Sequence, residues 1–243
     1  MMKALVAAFA FLTRLPVWRG PLRDEDLGRS VSFFPVVGLV LGFGLMGTGA
    51  ALAGHLAPWL LAVLLAALLA ALTGGLHLDG LGDVFDAVGG GRRDRARMLE
   101  IMRDSRIGAH GAVALVLVLV AKVAALAQVV EARDWLVLLA FPTVGRWLAA
   151  LLVVLFPYVR TEGLGRAFSG EAGRAQIAAA SAITAIVLVA LGPVLILPAL
   201  ATALAVFAFA IWMHRRIGGL TGDIYGAAIE LGEVAMLTFC TVR

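Results

Sequence analysis

Apolar stretches long enough to cross a bilayer recur along this chain, separated by short polar connections. Only a membrane fold gives that many of them a place. The clearest run from Ser30 to Gly54, Ala109 to Val130, Trp135 to Phe156, Ala175 to Leu191, Pro193 to Met213 and Ile224 to Val242. A further run, Pro58 to Leu72, makes only about 22 Å of helix. Continued past a Gly74–Gly75 kink to Leu81, it reaches a comfortable span and leaves the following residues at the membrane surface. Hydrophobic residues make up 62% of the chain and charged ones 15%, outside the range of soluble domains. The expected fold class is therefore all-α, a polytopic integral membrane helical bundle of about seven transmembrane helices in one domain over residues 1–243. Ala4 to Leu12 is too short to span. Flanked by Lys3, Arg14, Arg19 and Arg23, it reads as an interfacial or re-entrant helix on the basic side.

The connections at 74–108, 157–174 and 214–222 carry arginine clusters. Those at 54–58 and 192–193 carry no Arg or Lys, and 131–134 has one Arg between two acids. The two kinds alternate, as seven spans require. The positive-inside rule then places the N-terminus and the clusters on the cytoplasmic side of an inner membrane, with the C-terminus outside. A net charge of only +4, spent in these loops, argues against a nucleic-acid surface. Cys240 is the only cysteine, so no disulfide forms within the chain. Arg14 interrupts the first apolar run and no small-residue cleavage site follows, unlike a cleaved signal peptide. Gly38, Gly42, Gly44, Gly47 and Gly49 promise close helix packing along the first span.

Chemistry concentrates in residues 74–111, expected at the cytoplasmic face. Asp79, Asp83 and Asp86 stand at i, i+4 and i+7, within an arc of roughly 60° on a helix. Three carboxylates on one face repel unless a cation sits among them. They span about 10 Å, room for one or two divalent ions. Hard oxygen ligands favour Mg²⁺, with Mn²⁺ as the alternative. Zinc is disfavoured, since no second histidine lies at i+4 and there is no cysteine cluster. Arg92, Arg93, Arg95, Arg97, Arg103 and Arg106 follow. Acid for a metal and then base for an anion suits phosphate chemistry, although topology alone would also explain the arginines. His77 and His110 bracket the segment as proton acceptors or ligands, plain hydrogen bonding being the simpler role. Gly89–Gly91 is either a phosphate-cradling turn or a helix end. No P-loop, dinucleotide fingerprint or serine triad pattern appears.

Lys122 and Arg146 fall in mid-span, and Glu230 and Glu233 in the last span. A charge at bilayer depth costs roughly 2.5–3.5 kcal/mol, so each should face a partner or a wet cavity. Asp223, Gly226, Glu230 and Glu233 share an arc of about 80° that should point into the bundle. A Lys122–Glu230 or Arg146–Glu233 pair that merely fixes packing is the plainer alternative.

FLTRLP from Phe11, GGLHLDGLGDVFDAVGG from Gly74, RARMLEIMRDSRIGAHG from Arg95 and GGLTGDIYGAAIELGE from Gly218 together resemble the cobalamin synthases, the adenosylcobinamide-GDP ribazoletransferases. The likeness runs in order from Phe11 to Glu233. It departs at Ala87 and Leu220, where glycine and a polar residue are usual. The resemblance implies a membrane enzyme that joins adenosylcobinamide-GDP to α-ribazole or its 5′-phosphate, releases GMP and requires Mg²⁺. The corrinoid would be a substrate, not a resident cofactor. On this reading Asp79, Asp83 and Asp86 hold the metal and, with His77, are the catalytic candidates. Arg103 and Arg106, with Arg92 or Arg93, would bind phosphoryl oxygens, and Asp104 would orient them or join the metal. Asp223, Glu230, Lys122 and Arg146 would complete the cavity wall, with Arg14 bringing the N-terminal segment over its mouth. The expected partners are the two substrates and the lipid bilayer, with no nucleic acid; a homo-oligomer is allowed. The competing classes are a CDP-alcohol phosphotransferase, which would need a fourth aspartate shortly after Asp86, and a transporter, which would show repeated halves.

Overall fold

The computed structural model describes residues 1–18, 20–92, 94–160 and 164–241, and no β-strand occurs among them. The helices are α1 (Met2–Leu12), α2 (Asp24–Ser30), α3 (Phe34–Leu52), α4 (Pro58–Thr73), α5 (Leu76–Gly90) and α6 (Arg95–Ile101). They continue with α7 (Ala109–Ala132), α8 (Trp135–Leu155), α9 (Leu164–Glu171), α10 (Arg174–Leu191), α11 (Ile196–Ile217) and α12 (Gly222–Thr241). Six stretches among the described residues are each long and apolar enough to cross a membrane: Asp24–Leu52, α7, α8, α10, Pro193–Ile217 and α12. The pair α4 and α5 brings the total to seven if taken as one broken span. Arg19, Arg93 and Val242, which entered the sequence reading, lie outside the described residues.

The kink expected between α4 and α5 is there, and it is sharp. Gly74 and Gly75 both take positive φ, +64° and +70°, and the two helices meet at 91°. Consecutive left-handed residues suit glycine alone. The turn swings the aspartate helix off the axis of α4 and against α12 and α7. Glycines permit that approach, since a Cβ at Gly80 would lie 2.7 Å from the Asp223 carbonyl oxygen, and one at Gly226 3.2 Å from the His77 Cα.

Helix α8 forms the centre: 83% of its spanning window is buried, against 17% for α10. Helix α3 closes on it through small residues. Gly38 meets the backbone of Pro142 and Thr143, Gly42 that of Leu138 and Leu139, and Gly49 the Trp135 ring. Gly44 and Gly47 face open space, because they lie on the other side of the same helix. Outward-facing Leu117, Val120, Ile186 and Leu204 are exposed, as lipid-facing side chains should be. Helix α1 tucks Ala7, Ala8 and Leu12 against α2 and α3, and its Phe11 ring lies 4.4 Å from Phe168 of α9 and 6.1 Å from Phe34.

Candidate active site

A cavity of about 210 Å³ lies where α1, α5, α8, α9 and α12 converge. Its wall is largely aromatic and aliphatic, with Phe11, Phe34 and Phe168 on one side and Tyr158 and Tyr225 on another. The polar groups are His77 and Asp79 of α5, Asp223 of α12 and Arg160 from the segment after α8. That segment is pinned by two backbone hydrogen bonds, Leu220 N donating to Pro157 O (2.9 Å) and Val159 N to Leu220 O (3.0 Å). The Thr221 hydroxyl accepts from Ile224 N (3.4 Å), within the first turn of α12. So held, Arg160 Nη2 donates to Asp223 Oδ2 (2.5 Å) and to the Met102 carbonyl (3.1 Å).

The aspartates differ in surroundings despite sharing a helix face. Asp79 is exposed and lines the cavity, Asp83 is half-buried, and Asp86 is buried. Asp86 Oδ2 accepts from Gly108 N (2.7 Å) and Oδ1 from Gly111 N (2.8 Å). The carboxylate thus satisfies free N–H groups at the start of α7 and meets the positive end of its dipole. Asp83 is repelled by Asp223 and Asp79 in turn. Among the described residues, no three His, Cys, Asp or Glu side chains converge to hold an ion. Both Asp86 oxygens are instead engaged by N–H groups of α7. The donor chemistry still fits Mg²⁺, which is commonly bound by one or two carboxylates, water and substrate phosphates.

Gly111 is a sensitive point of this arrangement. A Cβ there would run into Asp86 and come within 2.7 Å of the Gly82 carbonyl oxygen, which belongs to backbone and cannot swing aside. Gly111→Ala is expected to destabilise the protein by about 1–3 kcal/mol, seen as a lower unfolding midpoint in detergent. An unchanged midpoint would contradict the α5–α7 contact.

Behind the cavity, Lys122 Nζ donates to Glu230 Oε2 (2.5 Å) and to Glu233 Oε2 (2.6 Å), while Arg146 Nη1 pairs with Glu233 Oε1. The four are at most 4% exposed and join α7, α8 and α12 with no net charge. Asp223 lines the cavity as expected of it, but Lys122, Arg146 and Glu230 do not; their charges are satisfied by one another instead. The network meets the wall at His77, whose Nδ1 faces Arg146 Nη2 at 3.5 Å. A guanidinium only donates, so this contact assigns His77 the tautomer with its proton on Nε2. His77 Nε2, Tyr225 Oη and Arg160 Nε are buried without partners among the described residues, although each lies on a cavity-lining residue. An unpaired buried polar group costs about 1–3 kcal/mol.

These observations gain context from known proteins. The model of the cobalamin-5-phosphate synthase family matches residues 4–241. The chain belongs to that family. It is 45% identical to the adenosylcobinamide-GDP ribazoletransferase of Syntrophobacter fumaroxidans over 95% of both chains. It is 40% identical to that of Thiobacillus denitrificans over 99% of this chain and 96% of the other. The corresponding Klebsiella pneumoniae protein is 42% identical over 98% of each. No solved structure matches.

The two departures of this cobalamin-5-phosphate synthase family member from the usual motifs are both buried: Ala87 and Leu220 are fully enclosed in the core. The other described arginines are not among the cavity's lining residues. Arg106 forks onto Asp104 (2.6 Å) on the surface, and hydrogen bonds from its side chain and backbone N–H hold the Asp104 carboxyl down to about 2. Arg103 is exposed and follows Met102, whose carbonyl accepts from Arg160. Arg92 is exposed, and Arg93 is outside the described residues. Arg14 N donates to Leu72 O (2.7 Å), and its side chain packs over Gly74, so Phe11 and Leu12, not Arg14, reach the cavity. His110 packs on Gly89, and α5 ends at Gly90, so the glycine run is where that helix stops. Arg160, Tyr158 and Tyr225 were not singled out from sequence; the only signal was an arginine three residues past Pro157, at the end of a span.

Proposed function

We propose that the chain joins adenosylcobinamide-GDP to α-ribazole, or to its 5′-phosphate, with release of GMP, at the mouth of the cavity between α5 and α12. The observation that carries this reading is that aspartates of one specific motif, Asp79 and Asp83, lie beside Asp223 of another and Arg160, in a chain whose relatives bear that enzyme's name. Those names favour it over the CDP-alcohol and transporter readings.

In this reaction a ribazole hydroxyl attacks the phosphorus that carries cobinamide. The new O–P bond forms as the bridging P–O bond to GMP breaks, and the hydroxyl proton passes to a carboxylate. Asp79 and Asp83 would hold Mg²⁺, which when bound neutralises phosphate charge. Asp79, exposed at the cavity, is placed to take the proton. Arg160 is held by Asp223 and the Met102 carbonyl with its Nε free, a donor set suited to phosphoryl oxygens. Arg103, exposed and one residue past the Met102 carbonyl that holds Arg160, would add positive charge for the phosphates. The mouth and the N-terminus face the cytoplasm across the inner membrane, in line with the arginine-rich connections.

The test is GMP release by the purified chain in detergent with Mg²⁺, adenosylcobinamide-GDP and α-ribazole. Release dependent on both substrates supports the reading, and none under these conditions overturns it. Arg160→Met should lower kcat/KM about 100-fold, whereas wild-type kinetics in that variant would remove Arg160 from the site.

A further inference from the structure

The cavity is more specific than a phosphate site requires. Its lining is largely apolar and aromatic, yet two buried polar atoms on lining residues, His77 Nε2 and Tyr225 Oη, have no partner among the described residues. Both residues are over nine-tenths buried, at 2% and 7% exposure. In the tautomer assigned from the Arg146 contact, His77 Nε2 is a donor. A ligand that fills this space must be flat, largely apolar, and carry an acceptor for one fixed N–H.

Resting on the ribazoletransferase reading, we propose that this cavity seats the heteroaromatic base of the ribazole substrate, with His77 Nε2–H donating to the base's free ring nitrogen. α-Ribazole is a riboside of a dimethylated benzimidazole, two fused rings with one nitrogen bearing the sugar and the other a lone pair. An apolar cavity of roughly 150 Å³ takes a benzene ring, so about 210 Å³ suits a fused pair without its ribose. Phe11, Phe168 and Tyr158 provide ring faces and edges for the base. The sugar then points toward the exposed Asp79 and toward Arg160, where the reacting groups meet. Burial of the base in this way fixes the attacking hydroxyl by its far end, which is how remote binding energy orients a reaction.

The test compares α-ribazole with its indole counterpart, in which the free ring nitrogen is replaced by C–H, at saturating adenosylcobinamide-GDP and Mg²⁺. Wild-type protein should show a KM about tenfold higher for the indole riboside, with kcat little changed. In His77→Phe the two KM values should converge, a ratio read only on the folded fraction. Phe168→Ala should raise KM for both ribosides alike, about tenfold, and leave KM for adenosylcobinamide-GDP unaltered. Equal wild-type KM values, a ratio that survives in His77→Phe, or a rise confined to adenosylcobinamide-GDP would each overturn the base assignment while GMP release continued. If neither riboside supports GMP release, the ribazoletransferase reading fails, and the base assignment with it.

Discussion

Glu233→Ala is expected to cost about 3–5 kcal/mol of stability, enough to deplete the folded protein. Glu233 is the side chain that touches both buried cations, accepting from Lys122 through one carboxylate oxygen and pairing with Arg146 through the other. Without it Lys122 keeps Glu230, but Arg146 is left fully buried beside a neutral imidazole. The damage comes from an uncompensated charge, so removing a balanced pair should be far milder. Lys122→Met combined with Glu230→Leu takes away one charge of each sign and leaves Arg146 with Glu233. That double variant should unfold within about 1 kcal/mol of wild type, or be more stable. Denaturation by SDS in mixed micelles compares the three proteins. A double variant as damaged as Glu233→Ala would mean that packing, not charge balance, sets the loss.

Asp79→Asn and Asp83→Asn should each lower kcat/KM by about 10³-fold, with folding intact. The amide keeps the shape of the side chain and removes the charge that would attract a divalent ion. Asp86→Asn should behave differently. Its carboxylate caps α7 through Gly108 N and Gly111 N, and an amide can accept only through its one oxygen. The expected cost is about 1 kcal/mol of stability and a smaller loss of turnover than at Asp79. Wild-type turnover by Asp83→Asn at saturating Mg²⁺ would exclude that residue from ion binding.

The spans were readable from sequence because the bilayer dictates them: an apolar run such as Ala109 to Val130 has few other uses. The direction of α5 was not. Gly74–Gly75 signalled a bend, but its 91° angle depends on what the helix packs against, namely Gly226 and Asp223 of α12. A helical wheel put Asp86 with Asp79 and Asp83, and it could not show that α7 would begin within reach of Asp86 and take both oxygens. The four buried charges were visible, and both pairs foreseen for them exist. What sequence hid was their union through Glu233. Arg160 was hidden for a plainer reason. An arginine at the end of a span is what topology already demands, and its partner Asp223 lies 63 residues further on.

Mn²⁺ binding in lipid nanodiscs, followed by electron paramagnetic resonance with an uncleavable analogue of adenosylcobinamide-GDP present, tests the metal-held diphosphate most directly. The bound signal should appear in wild type and persist in Asp86→Asn, and it should be lost in Asp79→Asn and Asp83→Asn. Binding that survives both of those changes, or that vanishes only when Asp86 is altered, would contradict the assignment of Asp79 and Asp83 as the residues that hold the ion.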